Sequence, residues 1–367
     1  MSTELRGIGT ALPGTPVSQE DAKQVAVALC ARSDEQASWV PAMYDGTGIK
    51  TRHMCLPGAV IRDVLDGTRH TESPFLPTAD PADRGPTTAE RMRHYEVLAP
   101  QLALTAATRA LADGPTPAAT ITHLVTVSCT GFMAPGVDLA VIQGLGLGNR
   151  VRRTHVGYMG CHGALNGLRV ADAFVRADPA ARVLLVAVEL CGLHYHYGWD
   201  PQKVVANALF SDGAAAVVVT VGADDPAAWR VADTASCIVP DSTDAMTWRI
   251  RDHGFEMSLG RKVPELIATN LKPFLEEWLA EHGLDVAAVG SWAVHPGGPR
   301  ILQAVEETLA LPADALATSR GVLAECGNLS SPTVLFILDR LRRRRAARPC
   351  VALGFGPGLA VEAALFV

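Results

Sequence analysis

An α/β fold built on a largely parallel sheet, buried on both faces, is what this sequence predicts. Near-continuous apolar runs of strand length recur, as at 121–131, 182–189 and 214–221. Stretches with apolar residues at helical spacing stand between them, and that alternation is the signature of a sheet covered by helices on each side. The chain has 367 residues, more than one hydrophobic core usually organises, so two core units are expected.

Each element follows in turn. Residues 1–20 read as a short strand and loop marked by Gly7, Gly9, Pro13 and Gly14, and 18–43 as a helix with alanine and valine on one face. Residues 57–90 are rich in Pro, Asp, Thr and Gly without periodicity, so an exposed excursion is expected. Leu98, Leu102, Ala106 and Ala110 recur at helical spacing and predict a helix over 88–112. The run 121–131 is a buried strand ending in a turn, followed by a short helix at 136–147. A strand at 182–189, a helix at 203–210 and the turn Ser211-Asp212-Gly213 lead into the strand 214–221. The second half repeats the rhythm. It has a helix over about 262–282, a strand at 289–294, a helix at 299–310, a loop at 320–331, a helix at 332–345 and strands at 350–354 and 359–366. That repetition suggests an internal duplication, with halves 1–222 and 223–367.

Composition narrows the class. Hydrophobic residues make up 48% and charged residues 19%, a profile of buried strands in a well-packed enzyme. The net charge of -6 does not advertise a nucleic-acid partner. Eight cysteines are scattered singly with no C-x-x-C pair, as reduced core residues are. The opening Met1-Ser2-Thr3-Glu4-Leu5-Arg6 has no signal-peptide pattern, and no apolar run approaches ~18 residues, so a cytoplasmic protein without a membrane span is expected.

Three segments carry chemistry. Cys161 stands in Met159-Gly160-Cys161-His162-Gly163, a tight turn opening directly into a long apolar helix. Unpaired N–H groups and the positive end of a helix dipole lower a thiol's pKa, so the turn is expected to favour a thiolate. His295 ends the apolar run at 289–294, and α/β sheets place ligands at the carboxyl ends of their strands. Asn328 lies in Gly327-Asn328-Leu329-Ser330-Ser331, a polar loop feeding an apolar helix. A cysteine nucleophile needs a base or cation beside it, which His295 supplies. An amide N–H next to the imidazole holds a developing oxyanion or enolate, which Asn328 supplies. Singly, these are a small buried cysteine, a core histidine and a helix cap. Jointly, they read as a site.

Three other features stay structural. Cys191, His194, His196 and the Cys161-His162 pair fit no standard zinc spacing, so no metal is expected. The stretch 144–148 is glycine-rich but lacks a nucleotide-loop pattern. The basic run Arg342–Arg345 reads as a solvated helix end.

These segments, with Ala208-Leu209-Phe210-Ser211-Asp212-Gly213, Ser128-Cys129-Thr130-Gly131-Phe132-Met133-Ala134-Pro135-Gly136 and Gly354-Phe355-Gly356-Pro357-Gly358, resemble a type III polyketide synthase. This is the chalcone-synthase-like family of the thiolase superfamily. The resemblance runs from about residue 5 to the end. It implies a duplicated, five-layered αβαβα thiolase fold and a homodimer. It also implies an acyltransferase that performs iterative decarboxylative Claisen condensation of malonyl-CoA onto a starter acyl-CoA, with coenzyme A thioesters as substrates and no bound cofactor. By the same resemblance Cys161 holds the growing chain, while His295 and Asn328 stabilise the enolate formed as malonyl-CoA loses CO₂. Phe210 matches the aromatic gatekeeper between the coenzyme A tunnel and the cavity. Gly356 and Pro357 belong to the loop shaping the cavity floor, and Ser330 joins the substrate-binding set.

The departures bear on product. Met257 falls where the family has a second gatekeeping phenylalanine, and Trp248 where chalcone-forming members have glycine. Cys191 and His194 replace threonines frequent in plant enzymes, and Ala134 sits where the partner subunit usually inserts a methionine. Lys50 and Arg52 keep part of the basic cluster for coenzyme A, and Arg300 is added to them. A bulky Trp248 argues for a small starter or few extensions, giving a small pyrone or phenolic product rather than a chalcone or stilbene. The rival readings are a ketoacyl-ACP synthase III-like enzyme with a single extension, a hydrolytic cysteine enzyme and a non-catalytic scaffold.

Overall fold

The computed structural model describes residues 2–222 and 227–367; the expected junction at 222/223 borders the gap, and residue 223 lies outside the described residues. The chain opens with β1 (Thr3–Ala11) and β2 (Thr15–Ser18). The single helix expected over 18–43 is two helices, α1 (Gln19–Cys30) and α2 (Asp34–Asp45). Ser18 and Ser33 each accept a backbone N–H of the first turn behind them, so the break at 31–33 is a stop followed by a capped restart. After β3 (Thr51–Met54), the expected excursion contains a helix, α3 (Gly58–Asp66), too short to show a period but burying Val60 and Val64.

Helix α4 (Thr88–Asp113) starts at a Thr87 cap and matches its sequence period. Then come β4 (His123–Ser128), α5 (Val137–Leu145), β5 (Arg152–Gly157), α6 (Gly163–Ala177), β6 (Arg182–Leu190), α7 (Pro201–Leu209) and β7 (Asp212–Val221). Three strands that the sequence pattern does not announce follow: β8 (Trp229–Ile238) and the hairpin of β9 (Met246–Arg251) with β10 (Gly254–Leu259). The rest is α8 (Val263–Glu281), β11 (Ser291–Val294), α9 (Pro299–Leu309), α10 (Ala317–Cys326), α11 (Thr333–Arg343), β12 (Cys350–Gly356) and β13 (Ala360–Phe366). Helix α10 takes up most of the loop expected at 320–331, because Val322, Leu323 and Cys326 bury one face of it.

Nine strands form one sheet in the order β11-β12-β13-β8-β1-β7-β6-β4-β5. Only β11–β12, β4–β6 and β4–β5 run parallel. The other neighbours are antiparallel, so the largely parallel sheet is corrected to a mixed one. The apolar runs report that both faces are covered; they do not report strand direction.

Alternate residues show the layering. On β6, Leu184, Val186 and Val188 join the alanines of α4 in one core. Val183, Leu185 and Ala187 point the other way, into a core with α6 and α11. On β12, Cys350 and Ala352 face that same central core, while Val351 and Leu353 face α8 and α9. The sheet is continuous through β8 and β1, but its β6 part packs between α4 and the pair α6 and α11, and its β12 part between that pair and α8 with α9, so the layers run helix, strands, helix, strands, helix. Arg342 and Arg343 are not a free solvated face. Both reach Asp113 at the end of α4 and Asp339 on their own helix. Among the described residues, no helix is long and apolar enough to cross a membrane.

Candidate active site

Cys161 lies in a single 3-10 turn, Gly160–His162, directly ahead of α6. Tyr158 (φ 60) and Gly160 (φ 66) both take left-handed backbone to make the approach. A Cβ on Gly160 would come within 2.4 Å of Pro357 Cδ, so only glycine lets the turn sit against the closing loop. The thiol is 7% exposed, at the wall of an apolar cavity.

Asn328 is placed by backbone pairing. Its N–H donates to Leu209 O and its own carbonyl accepts from Ser211 N–H, both at 2.9 Å, forming a bridge opposite Phe210. The gatekeeper candidate and the amide are therefore registered to each other. Asn328 Oδ1 accepts the Ser330 N–H at 2.8 Å, which leaves the amide N–H₂ for the Cys161 sulfur. Ser330 and Asn328 lie close enough to the Cys161 sulfur to favour its charged form.

His295 follows β11, its N–H bonded to Leu353 O at 2.8 Å. The ring is fully buried, yet neither ring nitrogen has a hydrogen-bond partner. Buried polar atoms in proteins are nearly always paired, so an imidazole with two orphaned nitrogens is equipped for a ligand. Burial, with a smaller push from neighbouring His162, lowers its pKa to about 3, so it rests neutral. Burial also pushes the Cys161 thiol up to about 12. Ser330 and Asn328 oppose that rise and the charge of Glu189 adds to it. Desolvation thus opposes the thiolate that the helix N-terminus favours.

Below the cavity lies a carboxylate that motif reading passed over. Glu189 is fully buried, accepting from the Cys129 N–H (3.0 Å), the Thr130 hydroxyl (2.7 Å) and the Ser331 hydroxyl (2.7 Å). Its signal in the sequence is the carboxylate that ends the apolar run 183–188, and such a charge, when buried, persists only when fully bonded.

Of the other residues singled out from the sequence, Phe210, Met257, Trp248, Cys191, Ser330 and Pro357 share the cavity wall with Cys161. Trp248 is fixed there, its Nε1–H donating to Cys129 O at 2.6 Å, and it pairs with Met257 across the β9–β10 hairpin. His194 stands behind it, lining the adjoining cavity. Its ring bonds Thr130 O (2.6 Å) and the Phe255 N–H (3.0 Å) and stacks on Phe255. Gly356 is buried against the His162 ring. Ala134 is exposed, next to a protruding Phe132.

The basic set separates. Lys50 is exposed, and Arg300 is exposed in the groove between α8 and α9. Arg52 is buried, its guanidinium spent on Gln19 and on the carbonyls of Asn207, Ala208 and Phe210 at the end of α7. It caps a helix from inside and is not available to a phosphate. Among the described residues, no group of His, Cys, Asp or Glu is arranged to hold a metal ion.

A buried thiol at the wall of an apolar cavity, an asparagine amide close to its sulfur and a buried, unpaired imidazole at the end of β11 are groups that an acyl-transferring condensing enzyme would use. The comparisons give the family. Residues 2–225 match the model of chalcone and stilbene synthases, N-terminal domain, and residues 230–367 that of the C-terminal domain. A relative named alpha-pyrone synthesis polyketide synthase-like Pks18, from Mycobacterium tuberculosis, is 34% identical over 99% of this chain and 90% of its own. The bisdemethoxycurcumin synthase of Oryza sativa subsp. japonica is 35% identical over 98% of this chain and 90% of its own. The crystal structure of PKS-I from the brown alga Ectocarpus siliculosus superposes with TM-score 0.91 at 29% identity, covering 100% of this chain and 98% of that one. The chain belongs to the chalcone and stilbene synthase family, the type III polyketide synthases. Nothing in these likenesses favours the single-extension ketoacyl synthase reading.

Proposed function

We propose that this chain condenses malonyl-CoA iteratively onto a starter acyl-CoA carried on Cys161, and releases a small pyrone or phenolic polyketide. One observation carries the reading: a buried thiol within reach of Asn328 and Ser330, and a buried imidazole with both nitrogens unengaged. In loading, the Cys161 sulfur attacks the starter thioester, its proton passes to His295 and then to the leaving coenzyme A sulfur. In extension, malonyl-CoA loses CO₂ and the resulting enolate oxygen is held by the Asn328 amide and His295. The enolate carbon attacks the Cys161 thioester, a C–C bond forms, and Cys161 leaves as thiolate. The charges balance within the thioesters and this chain's own side chains, so no bound cofactor is invoked.

The small product is argued from Trp248. Anchored to Cys129 O, it cannot swing aside without giving up a hydrogen bond of 2.6 Å. The printed name of the mycobacterial relative, which assigns it pyrone synthesis, agrees in class. Exposed Lys50 and Arg300 stay as contacts for coenzyme A in this reading. A homodimer is supported by exposed Phe132, by exposed Tyr158 and Met159 directly after β5, and by β5 itself, an unpaired sheet edge. Eight free cysteines suit a reducing, cytoplasmic setting.

The test uses the purified chain with ¹⁴C-malonyl-CoA and acetyl-, hexanoyl-, phenylacetyl- and 4-coumaroyl-CoA, with products resolved by mass. Labelled products heavier than the starter by two or more acetate units are expected. Products with a single extension would contradict the iterative reading.

A further inference from the structure

The residue after the nucleophile, His162, belongs to no part of the reaction written above, yet it is buried and bonded across the molecule. Its ring is 3% exposed, with Nδ1 2.6 Å from Asn166 Oδ1, one helical turn on. Asn166 Nδ2 donates to Glu362 Oε1 at 2.9 Å. A carboxylate only accepts, so the amide nitrogen must face Glu362 and the amide oxygen must face His162. His162 therefore carries its proton on Nδ1. Glu362 is itself buried and also accepts from Ser236 Oγ at 2.9 Å and from the Arg169 guanidinium. His162, Asn166 and Arg169 stand at the i, i+4, i+7 spacing of one helix face, all turned toward β13.

The ring's seat is equally specific. A Cβ on Gly356 would fall 2.3 Å from His162 Cδ2, and one on Gly354 would fall 2.9 Å from His162 Cβ. Gly354 pairs directly with Glu362 across β12 and β13, so seat and anchor share one register. The neighbouring residue on β12, Leu353, accepts the His295 N–H. One strand thus carries both the seat of the nucleophile turn and the backbone bond of the imidazole.

We propose that His162, held through Asn166 and Glu362, is a positioning residue that fixes the Cys161 turn against β12 and so sets the sulfur relative to His295. The proposal rests on the condensing-enzyme reading for its kinetic consequence, and on geometry alone for its effect on Cys161. Displacement of a reacting group by about 1 Å costs on the order of 100-fold, and hydrogen-bonded anchoring limits such displacement.

His162→Phe fills the slot without the donor, and Asn166→Leu removes the link. Each is expected to lower the kcat for condensation by roughly 10- to 100-fold at unchanged KM for both thioesters. Each should also slow alkylation of Cys161 by iodoacetamide, read at that residue by mass spectrometry. Malonyl-CoA decarboxylation without starter and the thermal unfolding midpoint should stay near wild type. The double variant should be no worse than either single one, because both cut the same chain. Glu362→Gln keeps an acceptor for Asn166 and should retain most of the wild-type kcat. A His162→Phe protein with wild-type kcat and alkylation rate overturns the proposal. So do parallel losses in decarboxylation, alkylation and unfolding midpoint, which mark a merely structural ring. If wild-type protein makes no polyketide, the functional reading fails, and the alkylation rates alone decide whether His162 positions Cys161.

Discussion

Burial acts on both Cys161 and His295 toward the uncharged form. The thiol rises to about 12 and the imidazole falls to about 3. In the substrate-free enzyme, therefore, alkylation of Cys161 should keep accelerating above pH 9, the ordinary thiol value, without a plateau near neutrality. A plateau between about pH 6 and 8 would mean a standing thiolate–imidazolium pair and would contradict the assignment. Cys161, His295 and Asn328 are legible in the sequence as candidates because each sits at an element end with characteristic neighbours. Their protonation is not legible, since it depends on the surrounding burial and on Glu189, which no local pattern connects to Cys161. The role of Arg52 is hidden for the same reason. A basic residue near a glycine-rich loop looks like a phosphate contact until the chain folds it under α7.

The β9–β10 hairpin decides how much room the nucleophile has, because it presents Trp248 and Met257 as a cross-strand pair to the cavity. Trp248→Gly should widen the cavity and shift the products toward larger starters or more extensions, read by mass against the wild type. An unchanged distribution would show that another wall sets the limit. This hairpin is also where the sequence reads least well. Its strand β9 has one buried residue and a largely exposed outer half, so it carries no apolar run to mark it. The buried strands behave oppositely. β6 and β7 are apolar along nearly their whole length, which makes them easy to find and uninformative about direction. That is why strand positions were readable while the mixed order of the sheet was not.

At the scale of the whole molecule, we propose that the two halves are copies of one unit. Each gives one helix to the middle layer, α6 and α11, and outer helices to one flank, which supports that reading. The proposed site would need both, since Cys161 comes from one half and His295 and Asn328 from the other. Phe132 (68% exposed) and Met159 (43% exposed) are exposed apolar side chains, and Met159 adjoins the nucleophile turn. Phe132→Asp should shift the protein from dimer to monomer in size-exclusion chromatography, by placing a charge in an apolar contact. A wild-type monomer at micromolar concentration would remove the dimer from the account.

The central claim is that one cysteine carries the chain while a separate pair handles the enolate. Cys161→Ala with labelled malonyl-CoA tests it most directly, with condensation products and released CO₂ measured in the same reaction. The account predicts that condensation is abolished and that decarboxylation persists in part, because His295 and Asn328 remain. Chain extension in that variant would contradict the nucleophile assignment.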